Sequence, residues 1–190
     1  MEILSAQPLS NPYLFRYLAA RAIPLPVASV YCSEVLFQNM KRTYYAIGFA
    51  NDALGWEIRN MYFKGCVAPK AITTTKRGTD RLQIFEGFMD FLSWQVLNPS
   101  STSNAIVLNS LALLPRIQEK IKSYKQVEGF LDNDDAGRKS FEVLKHFCPS
   151  IIDGSVRYRT HKDINEWLVT QSKVKEKQML LPTTKRSIRR

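Results

Sequence analysis

RLQIFEGFMDF at residues 81–91, answered by GFLDNDDAG at residues 129–137, decides how this chain folds. In each, a short apolar run of strand character ends in acid beside a turn-former: Glu86-Gly87 in the first, Asp132-Asn133-Asp134 in the second. Helical spacing follows both, over Phe88–Leu97 and Ala136–Phe147, so each reads as strand, turn and helix. Strands alternating with helices of that length imply right-handed βαβ crossovers and a parallel sheet. With the two strands as neighbours, Glu86, Asp132 and Asp134 gather at the sheet's carboxyl edge, where open α/β sheets bind ligands. Residues i and i+2 of an extended segment face one way, which places Asp132 and Asp134 together. Carboxylate oxygens are the donors a hard cation such as Mg²⁺ takes. The expected chemistry is Mg²⁺-dependent phosphoryl transfer on nucleic acid.

Around this pair the same alternation continues. Ala105–Leu108 and Val156–Tyr158 read as further strands and Leu114–Ser123 as a helix. A last helix is capped by Asp163 and runs through Leu168. Upstream, TTTKRGTD (Thr73–Asp80) is polar and reads as a linker. Before it, Asn11 caps a helix that reaches about Ala22, with Pro12 in its first turn. A second amphipathic helix is expected over Val27–Gln38. Thr43–Phe49 and Trp56–Phe63, rich in aromatic and β-branched residues, form a hairpin or meander around Asn51, Asp52 and Gly55. The expected organisation is a small α+β subdomain over 1–76, an α/β domain over 77–170, and a basic, flexible tail over 171–190.

Composition narrows the classes. With 190 residues, 45% apolar and 23% charged, the chain has a sizeable core. No apolar run approaches a membrane span, and MEILSAQPLS lacks the basic start and apolar stretch of a signal peptide. Cys32, Cys66 and Cys148 are too scattered for a disulfide framework or a zinc knuckle, and His146 and His161 are isolated. A cytoplasmic protein without zinc and without a membrane partner is expected. The net charge of +10 lies in the flanks. Residues 1–80 carry +4, residues 81–170 are neutral, and residues 171–190 carry +6. A basic surface beside an acidic pocket suits an enzyme that handles a polyanion. Tyr44, Tyr45, Trp56, Tyr62 and Phe63 admit a base-stacking role, but strand aromatics more often fill a core.

IFEGFMD, LDNDDAGRK and HKDINEW, in this order, resemble the Toprim domain, and in particular that of bacterial-type DNA primases. The resemblance covers roughly Arg81–Leu168. YAIGF, EIRNMYF and APKAIT extend it upstream to about residue 27. It implies a Toprim-like parallel sheet flanked by helices, preceded by a small α+β subdomain. Glu86 is then a metal ligand or general acid/base, and Asp132 and Asp134 hold Mg²⁺ or Mn²⁺. Asp163 joins a second metal or caps its helix. Asp90, one turn past Glu86, caps its helix, buttresses Glu86, or ligates metal. Arg59 and Lys70, with Lys64 as a companion and Lys162 beside Asp163, contact nucleotide or template. The implied activity is nucleotidyl transfer on single-stranded DNA, making primers, in a setting such as replication of a mobile element. The primase zinc-binding module and helicase-binding region have no counterpart in these residues, so a separate zinc-module or helicase protein is the implied partner. A Toprim nuclease and a non-catalytic nucleic-acid-binding subunit are the alternatives.

Overall fold

Antiparallel strands come first and parallel strands second, as the change of pattern near residue 81 requires. The computed structural model describes residues 1–180. The first unit contains β1 (Glu2–Gln7), α1 (Pro12–Ala20), α2 (Leu25–Tyr31), β2 (Ser33–Asn39), β3 (Arg42–Ala50), β4 (Trp56–Arg59) and β5 (Lys64–Val67). Its sheet is a meander, β1-β2-β3-β4-β5, antiparallel throughout. The Asn11 side chain accepts the Tyr13 N–H at 2.9 Å, and α1 buries Leu14, Tyr17 and Leu18.

The second unit contains β6 (Thr73–Thr75), β7 (Arg81–Phe85), α3 (Phe88–Leu97), β8 (Asn104–Val107), α4 (Gln118–Ile121), β9 (Gln126–Phe130), α5 (Asp135–Phe147), β10 (Ile152–Asp153) and α6 (Ile164–Leu180). Its sheet order is β10-β9-β7-β8-β6, parallel except for the edge strand β6. One face packs on α3 and the first unit: Phe85 meets Phe91 and stacks on Phe130, Phe130 packs on Trp94, and Phe49 of β3 stacks on Phe88 at 5.2 Å. The other face is covered by Leu114, Ile117, Ile121, Phe141 and Leu144. The fold is a parallel-containing α/β sheet flanked by helices, preceded by an α+β unit.

Several elements differ from the sequence expectation. The second helix stops at Tyr31, and Ser33–Asn39 is a strand. Val27, Val30, Tyr31, Val35 and Leu36 do fall at helical spacing, but SEVLFQN also alternates. The ladders offered by β1 and β3 on either side decide for the strand, with Val35 and Phe37 buried on one face. β1 itself carries no strand signal strong enough to read alone. The Thr73–Asp80 stretch is not only linker, since Thr73–Thr75 pairs with β8. Leu111–Ile117 is a 3-10 turn containing Pro115, so only Gln118–Ile121 of the expected fourth helix is α. Val156–Tyr158 lies in a 3-10 turn, and the edge strand is Ile152–Asp153 instead. The segment expected to be a flexible tail from residue 171 continues α6 as far as Leu180. Residues 181–190 lie outside the described residues.

Candidate metal centre and nucleic-acid cleft

The chain leaves β7 for β8 on one side, then returns to β9 on the other. The crevice beyond the carboxyl ends of β7 and β9 is therefore the topological switch point, where such sheets bind ligands. Phe85 and Phe130 are register partners, so Glu86 and Asp132 emerge side by side. The Glu86 carboxylate accepts the Asp132 N–H at 3.2 Å.

Three carboxylates converge there, though not the three that strand spacing singles out. Oxygens of Asp90, Asp132 and Asp163 all lie within 4.8 Å of one another. Asp90 comes from the first turn of α3, Asp132 from the end of β9, and Asp163 from the residue before α6. Asp90 does not cap its helix: Gly87 is at the N-cap, and the buried Asp90 Oδ1 has no hydrogen-bond partner among the described residues. Asp163 does cap, accepting the Glu166 N–H at 2.7 Å, and still reaches the group. Asp134 is turned to the N-terminus of α5, where it accepts the Gly137 N–H at 2.9 Å. Lys162 Nζ spans the two acids of the Asp-x-Asp pair, 3.9 Å from Asp132 and 3.8 Å from Asp134.

Buried tethers hold this geometry. Asn133 donates through its side chain to the carbonyls of Tyr158 (3.0 Å) and His161 (2.9 Å), and its N–H donates to Lys162 O at 2.7 Å. The Tyr158 hydroxyl donates to Leu131 O at 2.8 Å. These bonds pin the turn that carries Asp163 against the end of β9. Asn165, almost fully buried, donates to Arg21 O and Ser93 Oγ, both at 2.9 Å, and accepts Arg21 Nη1 at 3.1 Å. One side chain thus joins α1, α3 and α6. Gly137 lets α5 approach Asp132 itself: a Cβ there would sit 2.1 Å from the Asp132 carbonyl oxygen. The close approach is to the chain's own backbone.

Charge crowding follows from this packing. Burial, then the neighbouring Glu86 and Asp163 charges, raises the Asp132 pKa to about 7. Asp90 is pushed well above the usual carboxylate range by burial, then by Asp163 and Asp132, with Arg59 opposing. Burial also raises Glu86, against the Asp132 N–H and the Lys64 and Lys162 charges. A buried oxygen without a partner, inside an all-oxygen set of three acids, fits a divalent hard cation.

The acids floor a cleft of about 550 Å³ between the two units, rimmed by Arg59, Lys64, Lys162 and Arg21. Arg59 and Lys64 are a cross-strand pair on β4 and β5. Lys70 does not line the cleft itself but pairs with Glu57, which does, 2.6 Å from its Nζ. Arg21 and Asn165 were not legible as site residues: Arg21 sits at the C-terminal end of α1 with no local motif. Asn165 belongs to HKDINEW, but its partners lie 144 and 72 residues away.

Residues 83–168 match the family model described as Toprim-like, and residues 3–68 match a domain of unknown function (DUF8464). No curated protein matches the chain. Among solved structures, the primase fragment of the bacteriophage T7 primase-helicase protein has a TM-score of 0.58 at 14% identity, covering 94% of this chain and 80% of that one. A T7 structure of lagging-strand DNA polymerase with primase domains bound to an RNA/DNA hybrid and dTTP gives 0.61 at 14% identity, over 93% and 91%. The Aquifex aeolicus primase, with its zinc-binding and RNA polymerase domains, gives 0.60 at 14% identity, over 90% of this chain and 55% of that chain. At that identity the likeness concerns fold, and it spans both units. Residues 83–168 thus match a Toprim-like model, and the two units together have a fold similar to that of these primase structures.

Proposed function

We propose that this protein is a primase-like nucleotidyltransferase that extends a strand on a single-stranded DNA template. The observation that carries the reading is the acidic trio with its unpartnered Asp90 oxygen, on the floor of a cation-rimmed cleft. Asp90, Asp132 and Asp163 would hold Mg²⁺ or Mn²⁺. Such an ion offsets the negative charge that develops on a transferring phosphoryl group.

The chain's own residues do the rest. Lys64, Arg59 and Lys162 attract and orient the triphosphate from the rim, as planar or point-charge donors to phosphate oxygens. Glu86 stands beside Asp132 with a raised pKa, suited to accept the proton of the attacking 3′ hydroxyl. Asp134 fixes the start of α5, and through Gly137 the position of Asp132. Lys70, bound to Glu57, is a less direct contributor.

The test is template-directed incorporation of labelled nucleotide with Mg²⁺ or Mn²⁺, comparing wild type with Glu86→Gln and Asp132→Asn. Incorporation by wild type and its loss in both variants is the expected result. Release of strand ends in place of incorporation would make the site a nuclease. Single-strand binding with neither reaction would make the chain a non-catalytic subunit.

A further inference from the structure

The first sheet has two faces, and only one looks into the cleft. Glu57, Arg59 and Lys64 are on the cleft side. Strand register turns Phe37, its partner Tyr44, and Ile58 to the opposite side. A small core of Val35, Phe37, Ala46, Ile58 and Val67 lies there, closed by Ile3, Trp56 and Phe63 of the same unit. At its edge is a cavity of about 340 Å³ walled by Phe37, Tyr44, Tyr62 and Phe63, with Asn39 and Asn60 completing the lining. Phe37 is buried between the walls, its ring 5.6 Å from Tyr44 and 5.7 Å from Phe63. The outer rings stand open: Tyr62 is 92% exposed and Tyr44 40%.

The cavity is held in shape without an occupant. Asn60 N–H donates to Phe63 O at 3.0 Å, and the Asn60 side chain accepts the Tyr62 N–H at 2.9 Å. The same side chain donates to Tyr45 O at 2.9 Å, which ties the 60–63 turn to β3.

Charge on this face has one sign. Arg42 is the register partner of Asn39 and shares its side of the sheet, with Lys41 in the turn beside it. No strand carboxylate falls there among the described residues. Glu34 and Glu57 take the side of Arg59, and Glu2 pairs with Gln38, which alternates away from Phe37.

Converging aromatic rings suit either a cation or a large apolar side chain. Lys41 and Arg42 disfavour the cation and favour an apolar group flanked by carboxylates. The volume lies at the small end of ligand pockets, which run to roughly 300–1,000 Å³, and fits one anchoring side chain better than a large cofactor. A nucleic-acid strand that reaches the acidic trio runs along the other face of the sheet, so this cavity is poorly placed to serve it. We propose that the cavity docks an acidic segment of a partner protein. One aromatic or leucine side chain would sit among Phe37, Tyr44, Tyr62 and Phe63, with neighbouring carboxylates paired to Lys41 and Arg42. The DUF8464-matching unit then recruits a partner with one face of its sheet while the other face walls the cleft. This docking is independent of the reaction assigned to the cleft.

The experiment is ¹H–¹⁵N NMR of the full chain in EDTA, titrated to millimolar concentration with an N-acetylated peptide of aspartates around a central tryptophan. Two control peptides carry alanine for the tryptophan or lysines for the aspartates. Amide shifts confined to residues 37–46 and 58–65 are expected with the first peptide. Binding should weaken at least ~5-fold with the alanine peptide and in Tyr62→Ala, whose exposed ring can be removed without opening the core. Lys41→Glu with Arg42→Glu should reverse the preference, so that the lysine peptide binds better than the aspartate one, a result that loss of folding does not mimic. Shifts that are absent or lie elsewhere, or equal binding of all three peptides, overturn the proposal. So do shifts of these same residues with oligo(dT) at lower concentration than with peptide, which would make the cavity a nucleic-acid site. Shifts on concentrating the chain alone overturn it as well, by making the face a contact between copies.

Discussion

Replacing Asp132 by Asn should stabilise this protein while removing its response to Mg²⁺. Asp132 sits with Asp90 and Asp163 in a group spanning 4.8 Å, its side chain 16% exposed, and its pKa rises from the ordinary 3.8 to about 7. An acid whose pKa is higher folded than unfolded binds its proton more tightly in the native state. Native stability therefore falls as pH rises through the window from about 4 to about 7, and stays low above it. Three pKa units correspond to ~4 kcal/mol, which residual solvent access reduces to roughly 2–4 kcal/mol at pH 8. For a chain of this size that is about 5–10 °C in Tm. The assay is thermal unfolding of wild type and Asp132→Asn, in EDTA and in Mg²⁺, at pH 5 and pH 8. In EDTA the variant should melt higher at pH 8, and higher by less than half that margin at pH 5. Mg²⁺ should raise wild type more at pH 8, where protons do not compete, and should barely move the variant. A variant that melts no higher than wild type at pH 8 in EDTA, with an undiminished Mg²⁺ shift, would refute the idea that crowded acids await a cation here.

Three further outcomes follow from the tethers and the packing. Gly137→Ala gains ~1 kcal/mol of helix propensity but drives a methyl against the Asp132 backbone, for a net cost of up to ~2 kcal/mol. Its displaced Asp132 should cut incorporation ~100-fold in steady-state assays at saturating nucleotide. Tyr158→Phe leaves the buried Leu131 carbonyl without its donor, so urea unfolding should show a loss of ~1–3 kcal/mol with the m-value unchanged. Phe49→Ala removes the ring that stacks on Phe88 between the units, and the same measurement should give a loss of ~3–5 kcal/mol.

Much of the second unit was readable because its signals are local. Phe88–Leu97 is a helix over the expected residues, and the strands at 82, 105 and 127 fall within a residue of expectation. Apolar runs bounded by Gly, Asp and Asn leave few alternatives there. The first unit was harder: SEVLFQN satisfies helical and strand spacing alike, and its ladder partners, Glu2–Gln7 and Arg42–Ala50, had to be known first. Glu86, Asp132 and Lys162 all line the cleft, but Asp134 lies outside the acidic trio. The i, i+2 rule orients the two acids and says nothing of a helix N-terminus competing for one of them. Asp90 and Asp163 each had a local reading as a cap, and that reading holds for Asp163 alone.

By itself, the sequence determined a parallel α/β unit with acids at strand ends, since period, turn residues and strand length act over a few residues. Only the tertiary structure decided which carboxylates meet, because Asp90, Asp132 and Asp163 reach one point by packing of α3, β9 and α6. It likewise decided that Tyr44, Tyr45 and Tyr62 stay open while Phe37 and Phe63 are packed beneath. Burial depends on what lies across the sheet, and residues far apart in the chain supply it.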